Sequence, residues 1–168
     1  MNLDATGGVN VDAIETAKEP AREAKVMRYR TPPLKGNRGI TPLCRTDIMY
    51  AAIQVIKKGG ENTLHVHTQL DGIWFVLSGR ARFHGKDNVV YGELGERDAI
   101  LLPRGVSYWF ESVGDEPLEL FQVEAITKGT KDKITFLEPK KAGSAHMEIF
   151  GLEGQVLDST LEAPKSAE

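Results

Sequence analysis

From Asp47 onward the chain is a succession of short apolar runs separated by polar, glycine-containing turns. Ile48 to Ile56 is apolar around Gln54 and stops at Lys57, Lys58, Gly59 and Gly60. Ile73 to Leu77 follows, then Ala81 to His84, Val89 to Tyr91, Ala99 to Leu102, Ser107 to Glu111 and Leu118 to Ile126. The stretches GKDN, GELGERD and Pro103-Arg-Gly fall between them as turns. Short runs at this regular spacing predict strands of an all-β barrel or sandwich, not alternating helices and strands. Ile134 to Leu137 predicts an additional edge strand.

Before Asp47 the pattern is sparser. Asp12 and Glu15 predict a short helical turn, with Ala13, Ile14 and Ala17 on one face and Pro20 ending it. Met27 and Tyr29 alternate with Val26, Arg28 and Arg30, which predicts a short strand broken by TPPLKGNRG. From about Gly151 the chain is polar and weakly patterned. The expected organisation is an N-terminal arm (1–43), partly disordered, a β-barrel (44–138) and a C-terminal segment with a flexible tail (139–168).

Composition narrows the picture. At 168 residues the chain holds one well-buried domain. Its 21 Lys and Arg against 24 Asp and Glu leave a net charge of −3, with the basic residues scattered, so no nucleic-acid or anionic-membrane footprint exists. The single cysteine, Cys44, excludes an internal disulfide framework. No apolar run approaches the roughly 18 residues of a membrane-spanning helix, and MNLDATGGVN lacks the features of a signal peptide. A cytoplasmic location is the expectation.

The chemistry gathers between Gly59 and Gly79. His65 and His67 are separated by one residue, so on a strand both imidazoles point to one face. This stretch resembles the first motif of the cupin superfamily, in which a glycine, a His-x-His pair, a carboxylate and a closing glycine line a metal site inside a small barrel. Residues 97–112 resemble the second motif, with Asp98, Pro103 and Gly105 in the family's positions. There, Arg97 stands for the opening glycine, Tyr108 for the third metal histidine and Ser112 for an asparagine. Counting back from Gly79 puts the carboxylate at Gly72, whereas counting forward from His67 puts it at Asp71. Asp71 turns inward only if residues 68–70 form a corner or bulge.

The resemblance implies a double-stranded β-helix, or jelly-roll barrel, that forms homodimers and binds a small molecule. It also implies one divalent transition metal, Fe, Mn, Ni or Zn, on His65, His67 and Asp71, because imidazole and carboxylate suit these ions. Tyr108 is then the expected acid or base, in a dioxygenase or an isomerase. A metal-free ligand-binding or sensory barrel is the alternative, and an acid–base isomerase using Tyr108 and a histidine is a third. By strand parity Trp74, Val76 and Phe110 line the pocket, with Gln54 as a further polar candidate. Ile73, Phe75 and Leu77 point outward, with Trp109 across the sheet, towards a second sheet or a partner subunit.

Overall fold

The computed structural model describes residues 23–159. The helical turn expected at residues 12–17 lies outside them. Among the described residues twelve strands form in chain order: β1 (Arg38–Arg45), β2 (Met49–Ile56), β3 (His65–His67), β4 (Leu70–Ser78), β5 (Ala81–His84), β6 (Val90–Leu94), β7 (Ala99–Leu102), β8 (Ser107–Ser112), β9 (Leu118–Ile126), β10 (Ile134–Phe136), β11 (Glu148–Phe150) and β12 (Val156–Ser159). One helical turn, Ala142–Ala145, precedes β11.

The strands make a seven-stranded sheet, in the order β12-β11-β1-β2-β9-β4-β7, and a five-stranded sheet, in the order β10-β3-β8-β5-β6. From β2 to β10 the chain passes repeatedly from one sheet to the other, which is the winding of a double-stranded β-helix. Among the described residues the strands pair antiparallel except β1 with β11, which are parallel. β1 draws the stretch before residue 44 into the larger sheet, and the buried carboxylate of Glu148 secures the turn ahead of it. Its Oε2 accepts the backbone N–H groups of Lys35 and Gly36 at 3.0 and 2.8 Å.

Three expected elements differ. Residues 26–30 are extended but join no ladder. Val26 is 79% exposed, so its side of the alternation buries nothing, and Tyr29 is held instead through its hydroxyl on Glu119. The turn expected at GELGERD is partly strand, because Gly92, Glu93 and Leu94 continue β6 against β5. After Gly151 the chain forms β12, paired with β11.

The sheets enclose a barrel whose two halves differ. In one half Ile56, Leu118, Leu120 and Val76 face Ala81, Phe83 and Phe110, all at most 1% exposed. Burying each large side chain is worth about 1.5 to 3 kcal/mol, so this half is the main source of stability. Gly79 closes β4 at φ +80°, where a Cβ would lie 2.7 Å from the Pro117 carbonyl oxygen. The other half is polar.

Candidate functional site

Strand register builds the polar half. Along the inward face of β9 the sequence reads Leu118, Leu120, Gln122, Glu124, so its last two inward positions are polar. Glu124 pairs across the ladders with Tyr50 of β2 and Gly72 of β4, and Gln122 pairs with Ala52 and Trp74. On the facing sheet His65 is opposite Tyr108, and His67 follows two residues on. The two faces meet where the Tyr108 ring lies 4.4 Å from His65 and 5.1 Å from Trp74, centre to centre.

Both histidines are oriented from behind. His65 Nδ1 lies 2.7 Å from the Thr63 carbonyl oxygen, which can only accept, so Nδ1 carries the hydrogen. His67 Nδ1 donates in the same way to Asp132 Oδ2 at 2.6 Å. Each imidazole, when neutral, therefore keeps Nε2 bare, and the rings stand 5.0 Å apart. Burial, and then the neighbouring His67, lower the His65 pKa to about 3, so His65 is neutral across the physiological range. Burial opposes ionisation of Asp132. Hydrogen bonds from His67 and from the Gln69 and Thr68 N–H groups outweigh it and hold the carboxyl below its usual range.

A hydrogen-bonded chain crosses the interior beside them. The Arg38 guanidinium donates to Gln54 Oε1, the Gln54 amide donates to Gln122 Oε1, and the Gln122 amide donates to Glu124 Oε1 at 3.0 Å. Both amides accept on the cation side and donate on the anion side, the orientation that the two end charges favour. Burial raises the Glu124 pKa to about 7, with His67 pulling against it. Burial likewise lowers Arg38 to about 10 and keeps Tyr108 a neutral phenol, its pKa well above the usual value. Two buried donors in this half, the Trp74 indole N–H and the Tyr50 hydroxyl, meet no partner among the described residues.

The structure thus brings His65, His67, Tyr108, Trp74 and Gln54 together. Val76 and Phe110 belong to the same buried cluster as Trp74 and Tyr108, on its apolar side. Asp71 is a correction. It points away from the barrel, where Arg104 grips it through its backbone N–H at 2.8 Å and its Nη2 at 2.6 Å. No corner turns it inward: β4 begins at Leu70 and alternates regularly, so parity sends Asp71 outward and Gly72 inward. Gly72 has no side chain to offer because Trp74 occupies its space; a Cβ there would lie 2.3 Å from the indole.

Sequence reasoning missed four residues. Gln122 and Glu124 were legible, since they share the parity of Leu118 and Leu120. Arg38 sits in a glycine-containing stretch without a strand pattern, and Asp132 in a lysine-rich loop, so neither had a local signal. A separate open groove of about 990 Å³ lies outside the barrel, beside Thr31, Pro32, Val55 and Glu119, and contains none of the predicted site residues.

A divalent metal needs about three protein ligands in a catalytic site. The bare Nε2 atoms of His65 and His67 suit one, but Asp71 faces outward, Gly72 lacks a donor and Tyr108 is a neutral phenol. Among the described residues no group of three or more His, Cys, Asp and Glu side chains is placed to hold a metal ion. The donor set does not fit the expected three-ligand centre.

Residues 52–124 match the family model described as the cupin domain. Among solved structures, the chain is similar to an uncharacterized conserved protein with a double-stranded β-helix domain from Klebsiella pneumoniae. That likeness has 20% identity and TM-score 0.55, over 67% of this chain and 98% of that one. It is also similar to an RmlC-like cupin family protein from Methanocaldococcus jannaschii, at 17% identity and TM-score 0.52, over 63% of this chain and 94% of that one. A third likeness, to the cupin domain of Cnp3 from Schizosaccharomyces pombe, has 16% identity and TM-score 0.48 and spans 52% of this chain and 64% of that one. No curated protein matches the chain. The matched stretch runs from β2 to β9, the same strands that wind between the two sheets, so this part of the chain is a cupin domain with the double-stranded β-helix fold.

Proposed function

We propose that the protein binds a small organic molecule in the polar half of the barrel, without a metal, between His65, His67 and Tyr108 on one sheet and Gln122 and Glu124 on the other. The observation that carries this reading is the pair of orphan donors, the Trp74 indole N–H and the Tyr50 hydroxyl, in the same half as two bare imidazole nitrogens. Buried polar groups in folded proteins are paired almost without exception, and a ligand is the partner this arrangement calls for. His65 as neutral acceptor and Tyr108 as neutral donor also make a complementary pair for a proton on the ligand.

The test is ligand-dependent stabilisation in the presence of EDTA, with His65→Ala/His67→Ala purified alongside. A ligand bound only to the folded state at a hundred times its Kd adds about 2.7 kcal/mol. The wild type is expected to show a melting shift that EDTA leaves intact and the double variant abolishes. A shift that EDTA removes overturns the metal-free reading. The histidine tautomers also favour a second reading, in which iron, manganese, nickel or zinc sits on His65 and His67 and the protein is a dioxygenase or isomerase. Elemental analysis separates the two: near-stoichiometric metal in the wild type, absent from the double variant, establishes the second.

A further inference from the structure

Arg38 enters the polar half from β1, facing inward opposite Ile56. Its Nε and Nη2 donate to one acceptor, Gln54 Oε1, at 3.0 and 2.8 Å, and its guanidinium carbon lies 5.7 Å from the centre of the Phe110 ring. A guanidinium has five N–H donors in a planar fork, so Gln54 fixes the group and leaves most of them unused. No carboxylate among the described residues comes within ion-pair distance of it, and Tyr108 is the titratable group whose charge bears on it. The exposed arginines of the barrel contrast with it. Arg80 and Arg82 pair with Glu93, and Arg104 pairs with Asp71. Arg38 is partly buried on β1 and meets no anion there, although a charge withdrawn from water ordinarily takes a partner.

The two amides explain why the interior carboxylate does not serve. Gln54 and Gln122 stand between Arg38 and Glu124, so the cation and the carboxylate are linked but kept apart. Arg38 is also near enough to His65 and Tyr108 for its charge to bias both rings. One end of the site is therefore cationic, and the other offers imidazole Nε2, an indole N–H and two phenols.

We propose that the ligand is a small organic acid whose carboxylate docks on the unused edge of the Arg38 guanidinium, with a hydroxyl or carbonyl further along it meeting His65 and Tyr108. This deepens the reading proposed above and rests on it. A carboxylate matches the guanidinium fork in bidentate fashion, and the paired charge replaces hydration that burial has removed.

The experiment is a thermal-shift and calorimetric series in EDTA at constant ionic strength. The probes are mono- and dicarboxylic acids of two to eight carbons, with and without an α-hydroxyl or α-keto group, each matched with its neutral primary amide. Wild type is expected to bind acids and ignore the matched amides. Arg38→Met is expected to weaken the best acid at least tenfold, and Arg38→Lys to retain part of the affinity as a point charge. Amides binding as well as acids overturn the acid assignment and leave the barrel-binding reading intact. Silence from every probe overturns the acid assignment, and silence from a wider set of neutral metabolites as well removes both. Should Arg38→Met fail to fold, the Arg38 Nε–H resonance of the wild type, followed by NMR during titration with the best acid, supplies the same answer. Saturable binding that leaves this resonance unmoved overturns the proposal.

Discussion

Glu124 and Gly72 form one cross-strand pair, and the inward carboxylate sits on the β9 side of it. The family resemblance directs attention to β4, where Gly72 leaves space for Trp74 and the carboxylate is absent. Glu124 has measurable consequences of its own. Its pKa is raised to about 7 from 4.5, so the folded chain holds a proton that the unfolded chain gives up above pH 4.5. That contribution is fully present below about pH 4.5 and is lost as pH rises towards 7, by about 3 kcal/mol at its full extent. His65 acts in the opposite sense: neutral in the fold down to about pH 3, it takes up a proton on unfolding below 6.5, so its contribution is lost as pH falls through that window. The charges of His67 and Arg45 pull the Glu124 pKa down and that of Asp132 pushes it up, each by less than the effect of burial. Glu124→Gln should abolish the decline in stability towards pH 7 and keep the acid-side decline due to His65. Urea unfolding of both proteins from pH 4 to 8 checks this, and parallel curves would place the titration on another group. Gly79→Ala, which puts a Cβ at φ +80° against Pro117, should lower stability by about 1 to 3 kcal/mol by the same assay.

At the scale of elements, β3 and the loop carrying Asp132 act as a unit. Asp132 Oδ1 accepts the backbone N–H groups of Thr68 and Gln69 at 3.0 and 2.9 Å, while Oδ2 faces His67. Asp132→Asn can keep the backbone bonds through its oxygen and turn its amide nitrogen to His67, which then needs Nδ1 bare and Nε2 protonated. Binding in the barrel is expected to weaken roughly tenfold, on the scale of such supporting interactions, with little change in melting temperature. Nitrogen-15 shifts of His67 report the tautomer directly, and an unchanged Nδ1–H would reject the positioning role. The strands themselves were largely legible. Ala81 to His84, Ala99 to Leu102 and Leu118 to Ile126 form over the expected residues, because period-two burial is written locally. Residues 26–30 show the limit of that signal, for alternation without a neighbouring edge to pair with yields only an extended segment.

For the whole molecule, the outer face of the larger sheet remains apolar where β4 meets β7. Ile73 and Leu101 are directly paired and 44% and 64% exposed, and Leu77 continues the strip at 40%. Trp109 takes no part in it. It belongs to the other sheet, stacked on His84 at 3.9 Å and beneath Lys141 Nζ at 3.4 Å. The homodimer that the resemblance implies is expected to bury the Ile73 and Leu101 strip. Light scattering should give twice the chain mass for wild type and a monomer for Ile73→Asp/Leu101→Asp, with the β-rich circular dichroism unchanged. A dimer surviving that double substitution assigns the interface to another surface.

The sequence by itself determined the all-β class, most of the strands, the pairing of His65 with His67 on one inward face and the membership of Tyr108 and Trp74 in the same interior. These are matters of local periodicity, and the backbone enforces them residue by residue. Only the tertiary structure decided which groups complete the site. Asp71 was the carboxylate the spacing pointed to, yet strand parity turned it out to Arg104. Glu124 entered because β9 lies beside β4, Arg38 because β1 joins the sheet beyond β2, and Asp132 because a loop 65 residues from His67 passes behind it. Each of these contacts joins segments far apart in the chain, and such partners follow from how the sheets close around the barrel, which no local pattern of apolar and polar residues encodes.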